Sequence, residues 1–326
     1  MSSAPLFALP THAADLARIE EALTESVRTH DPYLNEIASH LIVAGGKRLR
    51  PILTVVAAQT AGAADTDLHE RSVQGGIACE LVQTGSLYHD DVMDEADTRR
   101  GVDTVNARWG NLQAILAGDF LLSRASEIAA SLGTEVAGLL ARTIGRLCEG
   151  QIEELRHTYN SARPEGSYLS SISGKTASLY ATAARIGGLV AGFDRSTIEA
   201  LTEYGEAFGM VFQIVDDLLD ITATDEQLGK PAGHDMVQGV YTLPVLRTLQ
   251  AGGVAAVELL ALLGKPLDGA EREKAIGIVR GNGGVDASIV VAREWVARAE
   301  AACELLPVSA ATDVLRVAPS ALLATL

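Results

Sequence analysis

The sequence is poor in aromatic residues and in cysteine. Trp, Tyr and Phe together make up only 4% of its 326 residues. Ala and Leu dominate instead, a composition that favours helices. The three cysteines, Cys79, Cys148 and Cys303, are scattered and show no metal-binding spacing. We therefore expect no disulfide framework and a reducing compartment, which for this chain means the cytoplasm.

Positive charge is also scarce, with 26 Lys and Arg against 42 Asp and Glu and a net charge of −16 at pH 7. Such acidity argues against non-specific binding to nucleic acid or to an anionic membrane. No uninterrupted apolar run is long enough to span a bilayer. The N-terminus lacks the basic start and apolar run of a signal peptide. The sequence thus predicts no nucleic-acid partner and no transmembrane segment.

What the sequence does contain is helical pattern throughout. Its hydrophobic content of 48% is enough for one large core or two small ones. We find no strand alternation, repeat or composition shift, so we predict one all-α domain over residues 1–326, built as a bundle of long helices. Asp31 followed by Pro32 predicts a helix start. Helices are predicted at about 11–28, 31–44, from Pro51, from Asp67, and at 111–131, 134–157, 167–173, 175–191, 198–221 and beyond Thr242.

A first cluster of carboxylates lies in the stretch ELVQTGSLYHDDVMDEADTRRG, residues 80–101. Asp90 and Asp94 are one helical turn apart and share a face, and Asp91 lies about 100° round. Carboxylate oxygens suit Mg²⁺, which completes its octahedron with water and substrate phosphate. Arg99 and Arg100 follow, and guanidinium groups suit phosphate. A solvated acidic helix end would explain a single cluster equally well.

A second cluster repeats the spacing and favours the metal interpretation. The segment FGMVFQIVDDLLDI places Asp216, Asp217 and Asp220 at the end of another apolar helix. Two facing clusters would clamp a diphosphate through several Mg²⁺ ions. Residues 222–241 then form a long loop with Lys230 and Asp235, which predicts an active-site flap. A plain surface connector is the alternative.

Six motifs in order carry a resemblance to a known family: GGKRLRP, HDDVMDEADTRRG, GKTA, FQIVDDLLD, LGKP and TLP. From about residue 40 to about 250 the chain resembles the trans-prenyltransferases, the polyprenyl diphosphate synthases. The resemblance implies an isoprenoid-synthase-type helical bundle around a deep central cavity, usually as a homodimer. It implies head-to-tail condensation of isopentenyl diphosphate with an allylic diphosphate, such as farnesyl or geranylgeranyl diphosphate. About three Mg²⁺ ions, or Mn²⁺ in their place, would be the cofactor.

The resemblance also implies roles for individual residues. The diphosphate of isopentenyl diphosphate would be bound by Lys47, Arg50, Gln83 and Arg100. Magnesium would be held by Asp90, Asp91, Asp94, Asp216, Asp217 and Asp220. The allylic diphosphate would be contacted by Arg99, Lys175 and Lys230, with Thr176 and Gln213 near the reacting carbons. Taken singly, Lys47 and Arg50 would pass for surface charges, Lys175 for a helix start and Gln213 for a core amide.

Two departures from the family pattern concern substrate closure. Many relatives carry Lys in the stretch before TLP, where this chain has Val240. The C-terminal APSALLATL lacks a basic ending. These departures would remove one phosphate contact and weaken closure of the site by the C-terminus.

Small residues before the first cluster predict a long product. In the family, a bulky aromatic four or five residues before the first aspartate stops growth early. Here those positions are Ser86 and Gly85, with Val82 one turn further back. A count of turns gives about six or more isoprene units, suited to a quinone side chain. A floor made by Leu116 or Phe120, and a geranylgeranyl product, is the alternative.

Two other functions compete with this hypothesis. A class I terpene cyclase shares the first cluster, but its second site usually has an Asn or Asp, a Ser or Thr and then a Glu, and it has little use for GGKR. A non-catalytic partner subunit would have lost its aspartate clusters, and this chain has both.

Overall fold

The computed structural model describes residue 6 and residues 8–62, 66–224 and 232–326, which are predominantly helical. The first half of the chain comprises α1 (His12–Ser26), α2 (Pro32–Val43), α3 (Leu49–Ala58) with a short 3₁₀ turn (Gln59–Ala61), α4 (Thr66–Met93), β1 (Thr98–Arg99), β2 (Val102–Asp103), α5 (Val105–Trp109), α6 (Asn111–Leu132) and α7 (Thr134–Arg156). The second half comprises α8 (Glu165–Ile172), a π-helical turn (Ser173–Ala177), α9 (Ser178–Val190), α10 (Arg195–Thr222), α11 (His234–Val237), α12 (Leu243–Ala251), α13 (Gly253–Leu262), α14 (Gly269–Gly281), α15 (Gly284–Cys303) and α16 (Ala310–Leu323). The predicted all-α class is confirmed.

Helix starts follow local capping rules. The Asp31 side chain accepts hydrogen bonds from the backbone N–H groups of Tyr33 and Leu34, and Pro32 is the first helical residue, as predicted. Helix α3 begins at Leu49, two residues earlier than predicted. The residue before it, Arg48, has a φ of 49°, and this left-handed residue turns the chain into the helix.

Three segments differ from the sequence prediction. A hairpin of two strands, each two residues long, pairs Thr98 with Asp103, and its strands are too short to show alternation in the sequence. Gly174 does not interrupt the helix, because residues 173–177 continue as a π-helical turn between α8 and α9. The described part of the expected loop at 222–241 contains the short helix α11. Lys230 lies outside the described residues.

Two long helices, α4 and α10, form the centre of the packing. Helix α4 packs mainly on α6 and α3, and α10 mainly on α9 and α15. The buried apolar residues form three clusters, and Trp295 of α15 packs against each of them. On this ground we propose that the chain folds as one domain. Among the described helices no single one is long and apolar enough to cross a membrane; only α14 and α15 together reach that composition, across a 62° bend.

Candidate active site

The first aspartate cluster lies at the C-terminal end of α4. Asp90 is half-buried in the last turn, and Asp94 is exposed one residue past the helix. Burial raises the pKa of the Asp90 carboxyl; the Lys175 ammonium opposes this, and the negative charge of Asp94 adds to it. Anions at a helix C-terminus also oppose the helix dipole. The cluster therefore needs positive charge, and Lys175 provides part of it.

Asp91 is turned inward and paired. Its side chain is 1% exposed, and its Oδ1 accepts a hydrogen bond of 2.5 Å from Nε of Arg99. Burial raises the pKa of Asp91, and Arg99 counteracts that rise. Arg99 reaches back because Arg100 and Gly101, with φ of 55° and 78°, reverse the chain in the hairpin. The hairpin thus fixes a guanidinium directly beside the first cluster.

The second cluster lies in the last two turns of α10. Asp216 is exposed, whereas Asp217 and Asp220 are buried. Asp217 accepts hydrogen bonds on both oxygens, from the Tyr168 hydroxyl at 2.6 Å and from Nε2 of Gln213 at 2.8 Å. Burial, with the nearby charge of Asp235, raises the pKa of Asp217 well above its usual range.

The chain after the second cluster folds back onto it. The backbone N–H of Asp235 donates to Oδ2 of Asp220 at 3.3 Å, and the N–H of Gly233 donates to the Asp220 carbonyl at 2.7 Å. The described part of the expected flap therefore contacts the second cluster directly.

Two consecutive residues of the π-helical turn connect the clusters. Lys175 Nζ donates to Oε1 of Glu154 at 2.8 Å. Burial disfavours its charged form, but the carboxylates of Glu154, Asp90 and Asp94 outweigh this and raise the pKa of Lys175. The next residue, Thr176, donates its hydroxyl hydrogen bond to Oε1 of Gln213 at 2.8 Å. Residues 175 and 176 therefore link the first cluster, through the charge of Lys175, with the second, through Gln213 and Asp217.

The predicted basic cluster lies beside an aromatic pair. The guanidinium carbon of Arg50 is 4.3 Å from the ring centre of Tyr180, and Nζ of Lys47 is 5.8 Å from the ring centre of Phe212. The two rings are 5.3 Å apart. Phe212 is one turn before Asp216 on α10, so the basic cluster and the second aspartate cluster are close neighbours.

The other predicted cationic and polar residues have different settings. Arg100 donates from one guanidinium nitrogen to the carbonyls of Leu41, at 2.8 Å, and of Gly45, and burial lowers its pKa. It therefore anchors the end of α2 as well as adding charge. Gln83 is half-buried on α4, about two turns before Asp90.

The three residues predicted to set product length lie in different environments. Val82 is fully buried in the core. A Cβ built on Gly85 would lie 3.0 Å from the carbonyl oxygen of Gly118, so Gly85 packs against α6. Ser86 is half-buried and donates its hydroxyl to the Gln83 carbonyl at 2.9 Å. A larger residue at 85 would displace α6, and Ser86 is the better probe of the tail's route.

The carboxylates of the two clusters suit Mg²⁺, which keeps water and phosphate ligands, better than a metal held by protein side chains alone. Within the described ranges no three His, Cys, Asp or Glu side chains are close enough to hold an ion together. Mg²⁺ is commonly bound by one or two carboxylates, with waters and substrate phosphates completing the shell. Asp90, Asp94 and Asp216 are the least buried members of the clusters.

A cavity of about 420 Å³ lies beside the π-helical turn and not between the clusters. None of the predicted site residues lines it. Its lining consists of Arg146, Glu149, Gly150, Ile152, Glu153, Arg156, Ser170, Ser173 and Gly174.

Sequence reasoning missed four residues that hold this site together: Arg48, Glu154, Tyr168 and Tyr180. Arg48 stands inside the GGKRLRP motif but is 1% exposed and bonded to Glu20 and Glu80. Only its position between two predicted binding residues marked it in the sequence. The other three contact site residues from distant segments, and no local pattern distinguishes them.

Comparison with known proteins identifies the family. The family model for polyprenyl synthetase matches residues 31–278, and the chain belongs to that family. It is 40% identical over 303 residues to heptaprenyl diphosphate synthase component 2 of Geobacillus stearothermophilus, covering 93% of each chain. It is 38% identical to the nonaprenyl diphosphate synthase of Mycobacterium tuberculosis, covering 90% of this chain and 87% of the relative.

Solved structures agree with this assignment. A decaprenyl diphosphate synthase from Rhodobacter capsulatus superposes with a TM-score of 0.88 at 32% identity, covering 98% of both chains. A polyprenyl synthase from Caulobacter crescentus, complexed with calcium and isoprenyl diphosphate, gives a TM-score of 0.90 at 33% identity, covering 98% of this chain and 96% of that one.

Proposed function

We propose that this protein is a trans-polyprenyl diphosphate synthase that condenses isopentenyl diphosphate head-to-tail with an allylic diphosphate. The observation that carries the proposal is that two consecutive residues reach towards both clusters: the charges of Asp90 and Asp94 act on Lys175, and Thr176 donates to Gln213, which donates to Asp217. The separate basic pair Lys47 and Arg50 lies nearby. The allylic diphosphate is the leaving group and needs metal, whereas the diphosphate of isopentenyl diphosphate only needs to be bound. The aspartate clusters suit the first, and the basic pair suits the second.

The aspartates would hold Mg²⁺ on the allylic diphosphate, with Asp90, Asp94 and Asp216 as direct ligands and Asp91, Asp217 and Asp220 supporting them. When bound, the ions supply Lewis-acid stabilisation of the charge that grows on the departing pyrophosphate. Lys175 and Arg99 lie beside the first cluster and add fixed positive charge for the same oxygens. Lys230, outside the described residues, is proposed for the same task.

The second substrate would bind at the basic cluster. Lys47, Arg50 and Arg100 would hold its diphosphate, with Gln83 beside them. Its double bond attacks the allylic carbocation near Thr176 and Gln213, and a proton is then lost to the released pyrophosphate. The buried ring of Tyr180 and the partly buried ring of Phe212 would exclude water from the cation.

The long-chain products named for the relatives, from seven to ten prenyl units, support a long-chain product here. A four-unit product is the alternative, since geranylgeranyl diphosphate synthases also match, for example that of Methanosarcina mazei at 39% identity. The small side chain at Ser86 favours the longer product.

We also propose a homodimer formed through α6 and α7. Five large apolar side chains on these helices are exposed: Leu112, Ile115, Leu116, Ile152 and Leu155. Light scattering should give twice the 34.2 kDa chain mass, and Leu116→Glu should shift it toward the monomer. The three cysteines are free thiols, which supports the proposal of a cytoplasmic location.

Pyrophosphate release tests the function. Purified protein should release pyrophosphate only when isopentenyl diphosphate, farnesyl diphosphate and Mg²⁺ are all present. Release from farnesyl diphosphate alone, with a cyclised hydrocarbon, would indicate a terpene cyclase. No release unless a second protein is added would indicate a partner subunit.

A further inference from the structure

Two residues of α7, Gly150 and Glu154, are one helical turn apart and both contact the turn that carries Lys175. Gly150 lies against its backbone, since a Cβ built at Gly150 would be 2.4 Å from the Lys175 nitrogen and 2.7 Å from the Ser171 carbonyl oxygen. Glu154 receives its side chain through the 2.8 Å hydrogen bond from Lys175 Nζ. One face of α7 therefore contacts both the backbone and the side chain of the same lysine.

The contact is equally close from the other side. A Cβ built on Gly174 would be 2.8 Å from the Arg146 carbonyl oxygen and 3.0 Å from Cα of Gly150. Backbone meets backbone here, and any side chain on either glycine would push the segments apart. The turn at 173–177 is π-helical, a distortion that recurs at functional sites because it re-aims side chains. The Gly150–Gly174 contact thus fixes the position of the Lys175 backbone, from which the side chain extends.

Glu154 fixes where the Lys175 side chain ends. Lysine has a flexible four-carbon stem, so its ammonium needs a partner to hold one position. The Lys175 side chain is 32% exposed and that of Glu154 only 15%, so the ion pair is partly shielded from water. Asp90 and Asp94 attract the same ammonium from α4. Held by Glu154 on one side, Lys175 faces the first aspartate cluster on the other.

We propose that Glu154 and Gly150 are positioning residues, which place the Lys175 ammonium for binding the allylic diphosphate. The inference rests on the proposed function, because it assumes that Lys175 contacts that substrate. Glu154 acts only through Lys175.

Glu154→Gln tests the side-chain contact, with Glu149→Gln as the matched control. Glu149 is an exposed carboxylate on the same helix and plays no part in the proposed site. We expect Glu154→Gln to lower kcat/KM for farnesyl diphosphate about tenfold, at the low end for losing an outer residue that orients a ligand-binding group. The KM for isopentenyl diphosphate should stay within about twofold. Glu154→Asp should recover part of the loss in kcat/KM, the quantity that reports transition-state stabilisation.

A double-mutant cycle with Lys175→Met decides whether Glu154 acts through the lysine. In the Lys175→Met background, Glu154→Gln should cause no further loss, because neighbouring residues acting as a unit are not additive. A full, additive loss in that background would overturn the proposal, as would a Glu154→Gln enzyme indistinguishable from Glu149→Gln.

Gly150→Ala tests the backbone contact independently. It should lower kcat/KM for farnesyl diphosphate while leaving the KM for isopentenyl diphosphate within about twofold. Should the variant unfold, calorimetric titration of Glu154→Gln with inorganic pyrophosphate and Mg²⁺ still measures the site, and unchanged affinity would contradict the proposal. A wild-type protein without turnover would refute the proposed function itself, an outcome separate from any difference between variants.

Discussion

Replacing Arg48 tests whether the loop between α2 and α3, which carries Lys47, is held in place by a buried ion pair. The Arg48 guanidinium is fully buried and donates to Glu20 at 2.8 and 3.1 Å, to Glu80 at 3.1 Å and to the Ile42 carbonyl at 2.8 Å. Glu80 is itself only 4% exposed. Arg48→Met keeps the apolar stem but leaves the Glu80 carboxylate buried without this partner.

The expected loss of stability is about 3–5 kcal/mol, the range for removing one partner of a buried pair. Glu20 contributes little to it, because it is 43% exposed and water can replace the guanidinium. The left-handed backbone at residue 48 costs much the same with Met as with Arg, so strain does not change. Urea unfolding followed by circular dichroism measures the difference.

Arg28→Met is the control, because Arg28 pairs with Glu25 at 3.0 Å but the two side chains are 69% and 64% exposed. It should cost no more than about 1 kcal/mol. If Arg48→Met also costs less than that, the loop is held by something other than this ion pair.

Three further predictions concern the site itself. Asp90→Ala and Asp216→Ala should each lower kcat by about a hundred- to a thousandfold, the usual cost of losing one preorganised group, and a loss under tenfold in steady-state assays would remove that cluster from the chemistry. Lys47→Ala should raise the KM for isopentenyl diphosphate with little change in kcat, because the contact exists in ground and transition states alike; a change confined to the allylic substrate would mean that the two pockets are reversed. Ser86→Phe should shorten the product and leave the first condensation intact, whereas Gly85→Phe should mainly destabilise the α4–α6 contact; an unchanged product in the Ser86 variant would show that the tail follows another route.

Much of the fold and the aspartate clusters could be predicted because their signals are local. Asp90 and Asp94 share a helix face by spacing alone, and the Asp31-Pro32 pair marks a helix start without reference to the rest of the chain. The distance between the ends of α4 and α10 has no such local signal. It depends on how helices pack, which places Lys175 near the charges of Asp90 and Asp94 and lets Thr176 donate to Gln213 of α10.

The environment of single residues was the least predictable feature. Arg48 and Arg50 are two residues apart, yet Arg48 is buried by carboxylates 28 and 32 residues away, whereas Arg50 stacks on Tyr180. Helix geometry alone placed Gly85 on the route of the tail, but the approach of α6 at Gly118 occupies that side. Both outcomes are set by tertiary contacts, which sequence spacing does not encode.

The most direct test of the central claim is the product formed from labelled isopentenyl diphosphate and farnesyl diphosphate. With Mg²⁺ present, chromatography after dephosphorylation should show a linear all-trans polyprenol of about six or more units, the length that a small residue at Ser86 favours. Exhaustive chelation should abolish the product, and added Mg²⁺ should restore it. Absence of any elongated product with metal and both substrates, or full activity after chelation, would contradict the account.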